Sequence, residues 1–342
     1  MKTNTILAVV AAVLLILSVF TYVESVQKAE RFERGQKFLP NLNPDEIAEI
    51  LITKGEETTH LRRTSDEFRV VGAHGYPAKN ESVNRFIRDV LELALEQEVG
   101  KGEDLVEELE LVPGGVEPTE VVFKNAADKE MVHFLVGKAF EGGSGSYIRR
   151  TDTEDGLIYL TSSRVYLSTG EDDFLNKDIL DVKQSDIAAI RGADYLIEDQ
   201  EGELKLADLP AGKKESSKMS RAKSMLSGLR FTKHYLADDP EVGALRFDTM
   251  VEVELKDQSG YQVAVASRDE KHYLRIRGFH TAGQVSIAMD ADEQEAQEKS
   301  EILARADEIG EFNKFHGSWI YEVTETTAEK ARLTRQDLIE DA

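Results

Sequence analysis

Two short segments carry the residues best placed to bind another molecule: Tyr147-Ile148-Arg149 and Tyr273-Leu274-Arg275-Ile276-Arg277. Alternate residues of a β-strand share one face, so each segment sets a phenol beside one or two guanidinium groups. A planar guanidinium recognises a carboxylate through two parallel hydrogen bonds, so such strips suit a carboxylate, a glycan or a partner surface. Ordinary cross-strand packing, with each Arg paired to a nearby acid, produces the same pattern. Tyr147, Arg149, Tyr273, Arg275 and Arg277 are therefore the candidate contact residues.

Other chemistries find less support. No two of the histidines His60, His74, His133, His234, His272, His280 and His316 stand one, three or four residues apart, and H-E-x-x-H is absent. With no cysteine in the chain, a zinc site would have to be assembled from distant loops, so no metal ligands and no cofactor are expected. Gly142-Gly143-Ser144-Gly145-Ser146 looks superficially like a nucleophile elbow or a phosphate loop. Ser146 stands where the elbow needs glycine, and no Gly-Lys-Ser/Thr follows, so a hairpin loop is the better reading. Asp290, Asp292, Gln294 and Glu301 have the acid spacing of a calcium loop, but Glu295 occupies the position that needs glycine. Carboxylates number 65, and their abundance alone identifies no acid and base pair; a carboxylate-based hydrolase is the third-ranked function.

Acidic side chains outnumber basic ones by 65 to 42, a formal charge of -23 that would repel a phosphate backbone. Nucleic acid is excluded as an expected partner. The hydrophobic content of 41% is that of a folded chain, and 342 residues exceed what one core usually organises, so two domains are expected. Without cysteine there is no disulfide, no cysteine nucleophile and no lipid-modified cysteine.

The run from Ile6 to Val23 contains no charge. As a helix it would be about 27 Å long, close to the roughly 30 Å of a hydrocarbon core. Val23-Glu24-Ser25 is a poor cleavage site for a secretory signal, which favours a retained anchor over residues 1–23. Lys2 on one side and Lys28, Arg31, Arg34 and Lys37 on the other leave orientation open. Glu24 to Phe38 reads as a helical stalk ended by Pro40 and Pro44, and residues 24–43 as a juxtamembrane segment.

Behind the candidate residues lies an α+β pattern. Strands are expected around Ile47–Ile52, His60–Arg63, Phe68–Val71, Glu120–Lys124, Met131–Val136, Tyr147–Arg150 and Leu157–Leu160, the last two joined at Asp155-Gly156. Asn80 should cap a helix whose apolar face is Val83, Phe86, Val90 and Leu93. The order then repeats. Asp186–Ile190 mirrors Glu46–Ile50, Ser216 takes the place of Asn80, and Met219, Ala222, Leu226 and Leu229 form the second apolar face. Val253–Asp257 echoes Val121–Asn125, and Tyr273–Arg275 echoes Tyr147–Arg149. The expected architecture is an N-terminal transmembrane helix followed by two repeated β-rich units, 44–182 and 183–342, each with one packed helix. Asp290 to Phe312 reads as an acidic helix, Gly317–Val323 as a strand with the only Trp, and a terminal helical piece runs through Leu333 and Leu338.

The apolar N-terminal segment, the D-x-I-x-x-I strand at Asp45, the capped helix, the Gly-rich loop into Tyr-Ile-Arg, Phe174–Leu180 and the late Trp319-Ile320-Tyr321 strand together resemble the bacterial domain of unknown function 4340 family. The similarity covers nearly all of Asn43 to Ile339. The resemblance implies an envelope accessory protein, single-pass in the inner membrane with its body in the periplasm, found beside gliding-auxiliary-type ABC transport components. It implies no catalytic residue. The expected function is a non-catalytic accessory or scaffold subunit of an ABC-type transport system, the alternative being an extracytoplasmic binding module for a glycan or peptide.

Overall fold

A computed structural model of the chain describes residues 32–281 and 293–342, with Leu14, Ile16, Ser18 and Val19. Apart from those four residues, the expected anchor lies outside the described residues, as do Asp290 and Asp292 of the calcium-like spacing. Among the described residues no helix is long and apolar enough to cross a membrane. The protein is α+β, its sheets antiparallel, and the chain divides into two compact units, 1–176 and 177–342. The division falls shortly before Val182.

The first unit opens with a meander of β1 (Glu49–Lys54), β2 (Glu57–Thr64), β3 (Glu67–Val70) and β4 (Tyr76–Pro77). Its tight turns place Gly55 and Ser65 at positive φ. Helix α1 (Asn80–Glu92), β5 (Leu95–Gly100) and α2 (Glu103–Glu108) follow, then β6 (Thr119–Lys124), β7 (Glu130–Ala139), β8 (Ser146–Arg150), β9 (Ile158–Thr161) and α3 (Glu171–Phe174). Strand order is β4-β3-β2-β1-β6-β7-β8-β9-β5. Pairing puts Leu61, Ile50, Phe123 and Val132 in one row, and Ile52, Val121 and Phe134 in the next, all buried on one face. Helix α1 covers that face with Val83, Phe86, Ile87 and Val90, the Phe86 ring meeting Phe123 and Phe174 edge-on. Each such side chain contributes about 1.5–3 kcal/mol through burial.

Three local expectations are corrected here. Lys79 is the N-cap of α1, without a side-chain hydrogen bond, and Asn80 is its first residue. The stalk is not helical from Phe32 to Phe38: the amides of Gly35 and Phe38 donate to Leu95 and Leu93 carbonyls at 2.7 and 2.8 Å. Helix would have carried the Phe38 ring away from Phe134, on which it packs at 5.5 Å. Asp155-Gly156 sits inside a longer connection, because β8 ends at Arg150 and β9 begins at Ile158.

The second unit comprises β10 (Asp178–Leu180), β11 (Ile187–Arg191), β12 (Leu196–Gln200), β13 (Glu203–Leu206), β14 (Lys213–Glu215), α4 (Met219–Lys223), β15 (Leu229–Arg230), β16 (Lys233–Leu236), β17 (Thr249–Leu255), β18 (Ser259–Arg268) and β19 (Lys271–His280). Helix α5 (Glu293–His316), β20 (Trp319–Val323), α6 (Glu325–Ala331) and β21 (Ile339–Asp341) complete it. Its main sheet runs β13-β12-β11-β17-β18-β19-β20-β16. Setting β4 aside, this is the strand order of the first sheet position for position, with β5 in the first unit and β16 in the second returning to the far edge.

One face of this sheet is lined by Val253, Val263, Val265 and Leu274, against which α5 packs. Gly278 permits the approach, since a Cβ there would lie 3.0 Å from Ile309. On the other face Tyr235, Val242, Ala266, Tyr273 and Ile320 form a buried cluster. The second unit departs from one packed helix of the expected length. Helix α4 stops at Lys223, where the C-cap Ser224 leaves helical backbone angles and turns its hydroxyl back onto the Arg221 carbonyl. Leu226 is buried beyond the helix and Leu229 begins β15. Ser216 does not cap it; its hydroxyl donates to the Asp337 carbonyl at 2.5 Å. The terminal piece ends as a 3-10 turn and then β21, which pairs with β14.

Candidate functional site

Strand β20 pairs with β19 only over His272–Leu274, so β19 runs on past its neighbour's end. Asn313 of α5 takes the missing strand's place at Gly278: the Gly278 amide donates to Oδ1 at 2.7 Å and Nδ2 donates to the Gly278 carbonyl at 2.8 Å. Between these two closures lies a pocket of about 400 Å³ lined by Arg275, Arg277, Gln262, Met250, His316 and Trp319, among others.

Its floor follows from register. Met250, Ala264 and Arg275 form one cross-strand row, and Glu252, Gln262 and Arg277 the next. The small side chain of Ala264 leaves the hollow between a methionine and a guanidinium. Arg275 lies over the Phe247 ring at 4.7 Å, an interaction that uses the cation's face and leaves its N–H edge available. Glu252 is already engaged, accepting from Gln262 Nε2 at 2.9 Å and standing 3.9 Å from Arg191. Arg275 and Arg277 are exposed, and among the described residues neither has a carboxylate partner. His316 lies at the inner wall, its Nδ1 2.7 Å from the Tyr321 hydroxyl, and burial pushes its pKa down to about 4.

The Tyr-Arg strips thus fall on corresponding strands, β8 and β19, but are used differently. Tyr273 is 1% exposed and belongs to the core rather than the pocket. Tyr147 is half-buried, edge-on to Phe140 at 6.2 Å, beside a separate hollow of about 410 Å³ that also meets Arg34 and Glu96. Arg149 lies opposite Leu135 and Ile158, its Nε buried without a hydrogen-bond partner. Only Arg275 and Arg277 are brought to one pocket. Period-two spacing finds that pair; nothing local in the sequence marks Gln262, Asn313, His316 or Met250, which arrive through pairing and helix packing.

Two further polar groupings are structural. Arg305 ties α5 to the β17–β18 turn through Asp257 at 2.9 Å and Ser259 at 3.1 Å. Ser267 meets His272 Nδ1 at 2.7 Å, with Arg332 on both groups. Among the described residues no group of three or more His, Asp or Glu is arranged to hold a metal.

The fold and pocket define an α+β protein of two antiparallel units, the second with a basic recess at a strand edge. The model of the domain of unknown function (DUF4340) matches residues 69–249, and the chain belongs to that family. The match runs from β3 to the start of β17, so Arg275 and Arg277 lie outside it. No curated protein and no solved structure matches the chain.

Proposed function

We propose that this chain is a non-catalytic accessory protein of the bacterial envelope, held in the inner membrane by Ile6–Val23 with its body in the periplasm, working beside integral-membrane components of an ABC-type transport system. The observation that carries the tether is the uncharged run itself, long enough for the hydrocarbon core, in front of a body that is strongly acidic. Two units with one strand order support a repeated design, two copies of a β-rich unit on one anchor. Crosslinking in native membranes, followed by identification of neighbours, tests partner and compartment together. Recovery of integral-membrane transport subunits is expected; recovery of cytosolic proteins alone removes the reading.

A second reading, a binding module, is favoured by the Arg275–Arg277 pocket. In an acidic chain, two neighbouring guanidinium groups left without carboxylates at the mouth of a recess are what an anionic ligand requires. Thermal-shift screening against glycans and peptides tests it, with loss of the shift expected when both arginines become alanine.

A further inference from the structure

We infer that the recess at the edge of β19 binds an organic carboxylate carrying an apolar body, such as the C-terminal residue of a peptide, with the carboxylate on Arg275 and Arg277 and the body against Met250 and Trp319. The inference rests on the second reading above and names its ligand.

Four features lead there. The two arginines are adjacent residues on one face of β19, so their guanidinium groups can converge on a single anion. Arg275 is oriented by Phe247 rather than by an acid, so its hydrogen-bonding edge is free without loss of a salt bridge. Glu252, the nearest acid in the Arg277 row, is held by Gln262 and Arg191, which removes the competitor a carboxylate would otherwise displace. The remaining wall is apolar or neutral: Met250 is 55% exposed although it faces a recess, Ala264 leaves room, and His316 is uncharged at neutral pH. An exposed methionine and a buried tryptophan lining the same recess offer adaptable surface for a hydrocarbon group. A bare inorganic anion would leave that surface wet, and a neutral apolar molecule would leave both forks unsatisfied. The pocket volume, near the lower end for small-molecule sites, suits a small ligand.

Trp319 is the only tryptophan in the chain and lines this pocket, so intrinsic fluorescence reports on the site alone. The experiment titrates hippurate, its amide hippuramide, glucuronate and inorganic phosphate into the full-length chain in maltoside detergent, excited where only Trp absorbs. Hippurate should give a saturable change at about 1 mM or below, with the amide, glucuronate and phosphate at least tenfold weaker. Arg275→Ala and Arg277→Ala should each weaken hippurate about tenfold, and Arg275→Lys should restore little, because an ammonium lacks the planar fork. Both arginines are exposed, so unchanged melting temperatures are expected for the variants. Equal binding of hippuramide overturns the carboxylate while leaving a binding pocket in place. Equal binding of glucuronate or phosphate overturns the apolar body. No saturable response to any probe overturns the inference and the binding-module reading together, without touching the accessory reading.

Discussion

His316 is held neutral by burial, its pKa pushed down to about 4 from the 6.5 of an open imidazole, and that displacement has a consequence for stability. Between those values the unfolded chain takes up a proton that the folded chain refuses, so acid favours unfolding. The contribution of the neutral ring is complete above pH 6.5 and is lost as the pH falls toward 4, a change of about 3 kcal/mol. Asp337, lowered to about 2 by its hydrogen bonds with Lys218 and Thr334, contributes above the ordinary carboxylate range and loses that only as the pH falls through about 2, below this window. Urea unfolding of the native chain and of His316→Gln at fixed pH steps should show the stability difference shrinking by about 3 kcal/mol from pH 7 to pH 4; a constant difference contradicts it. His316 was legible only as one scattered histidine, since the Phe312, Phe315 and Tyr321 rings around it come from α5 and β20. Tyr273 shows the complementary limit: period two puts it beside Arg275, but the Tyr235 and Val242 side chains that bury it belong to other elements.

The Gly-rich connection between β7 and β8 shows how an element imposes requirements that composition does not reveal. It is a hairpin loop, as its spacing suggested, yet its glycines are unequal. Gly145 has φ of 131° and an added Cβ would lie 2.5 Å from the Thr161 carbonyl oxygen, whereas at Gly143 the nearest atoms are ring carbons of Phe140 at 3.6 Å. Gly145→Ala should therefore cost about 2–4 kcal/mol and Gly143→Ala within about 0.5 kcal/mol, measured as shifts in denaturant midpoint. A loss at Gly145 as small as that at Gly143 would mean that the loop gives way to the added methyl, and would contradict the steric argument. Asn313 makes a second test at this scale. Asn313→Ala removes both hydrogen bonds that close β19 at Gly278 and should cost about 1–3 kcal/mol, while Asn313→Gln, with a longer arm, should not restore it. Many strands with alternating apolar residues were legible, but β12, β13 and β16 were not, although Leu204 and Leu206 alternate in β13; β5, β14 and β21 were also missed, being short or polar and owing their existence to partners far along the chain. Helix α4 is shorter than its apolar spacing, which continues through Leu229, because the chain leaves the helix at Ser224.

At the scale of the molecule, the repeated order of blocks proved more readable than any boundary. Glu46–Ile50 and Asp186–Ile190 lead into β1 and β11, Val121–Asn125 and Val253–Asp257 into β6 and β17, and the two Tyr-Arg segments into β8 and β19, three pairs that occupy matching places in the two sheets. Register explains the readability, because a strand buried on one face must keep its alternation in every copy. Divergence is concentrated where no alternation constrains it: the second sheet gains α5 between β19 and β20, and with α5 the Asn313 closure and the pocket. The tether is the remaining whole-molecule proposal, and it makes a quantitative demand. If Ile6–Val23 spans a bilayer, Leu14→Arg with Leu15→Arg places two cations near its centre at a cost of about 5–7 kcal/mol. The double variant should move from the carbonate-washed membrane pellet to the soluble fraction. The body should keep its fold, because neither substitution falls in the sheet units, so near-ultraviolet dichroism of the released protein should match that of the detergent-extracted native chain. Retention of the double variant in the washed pellet would assign membrane attachment to the body instead and remove the anchor from the account.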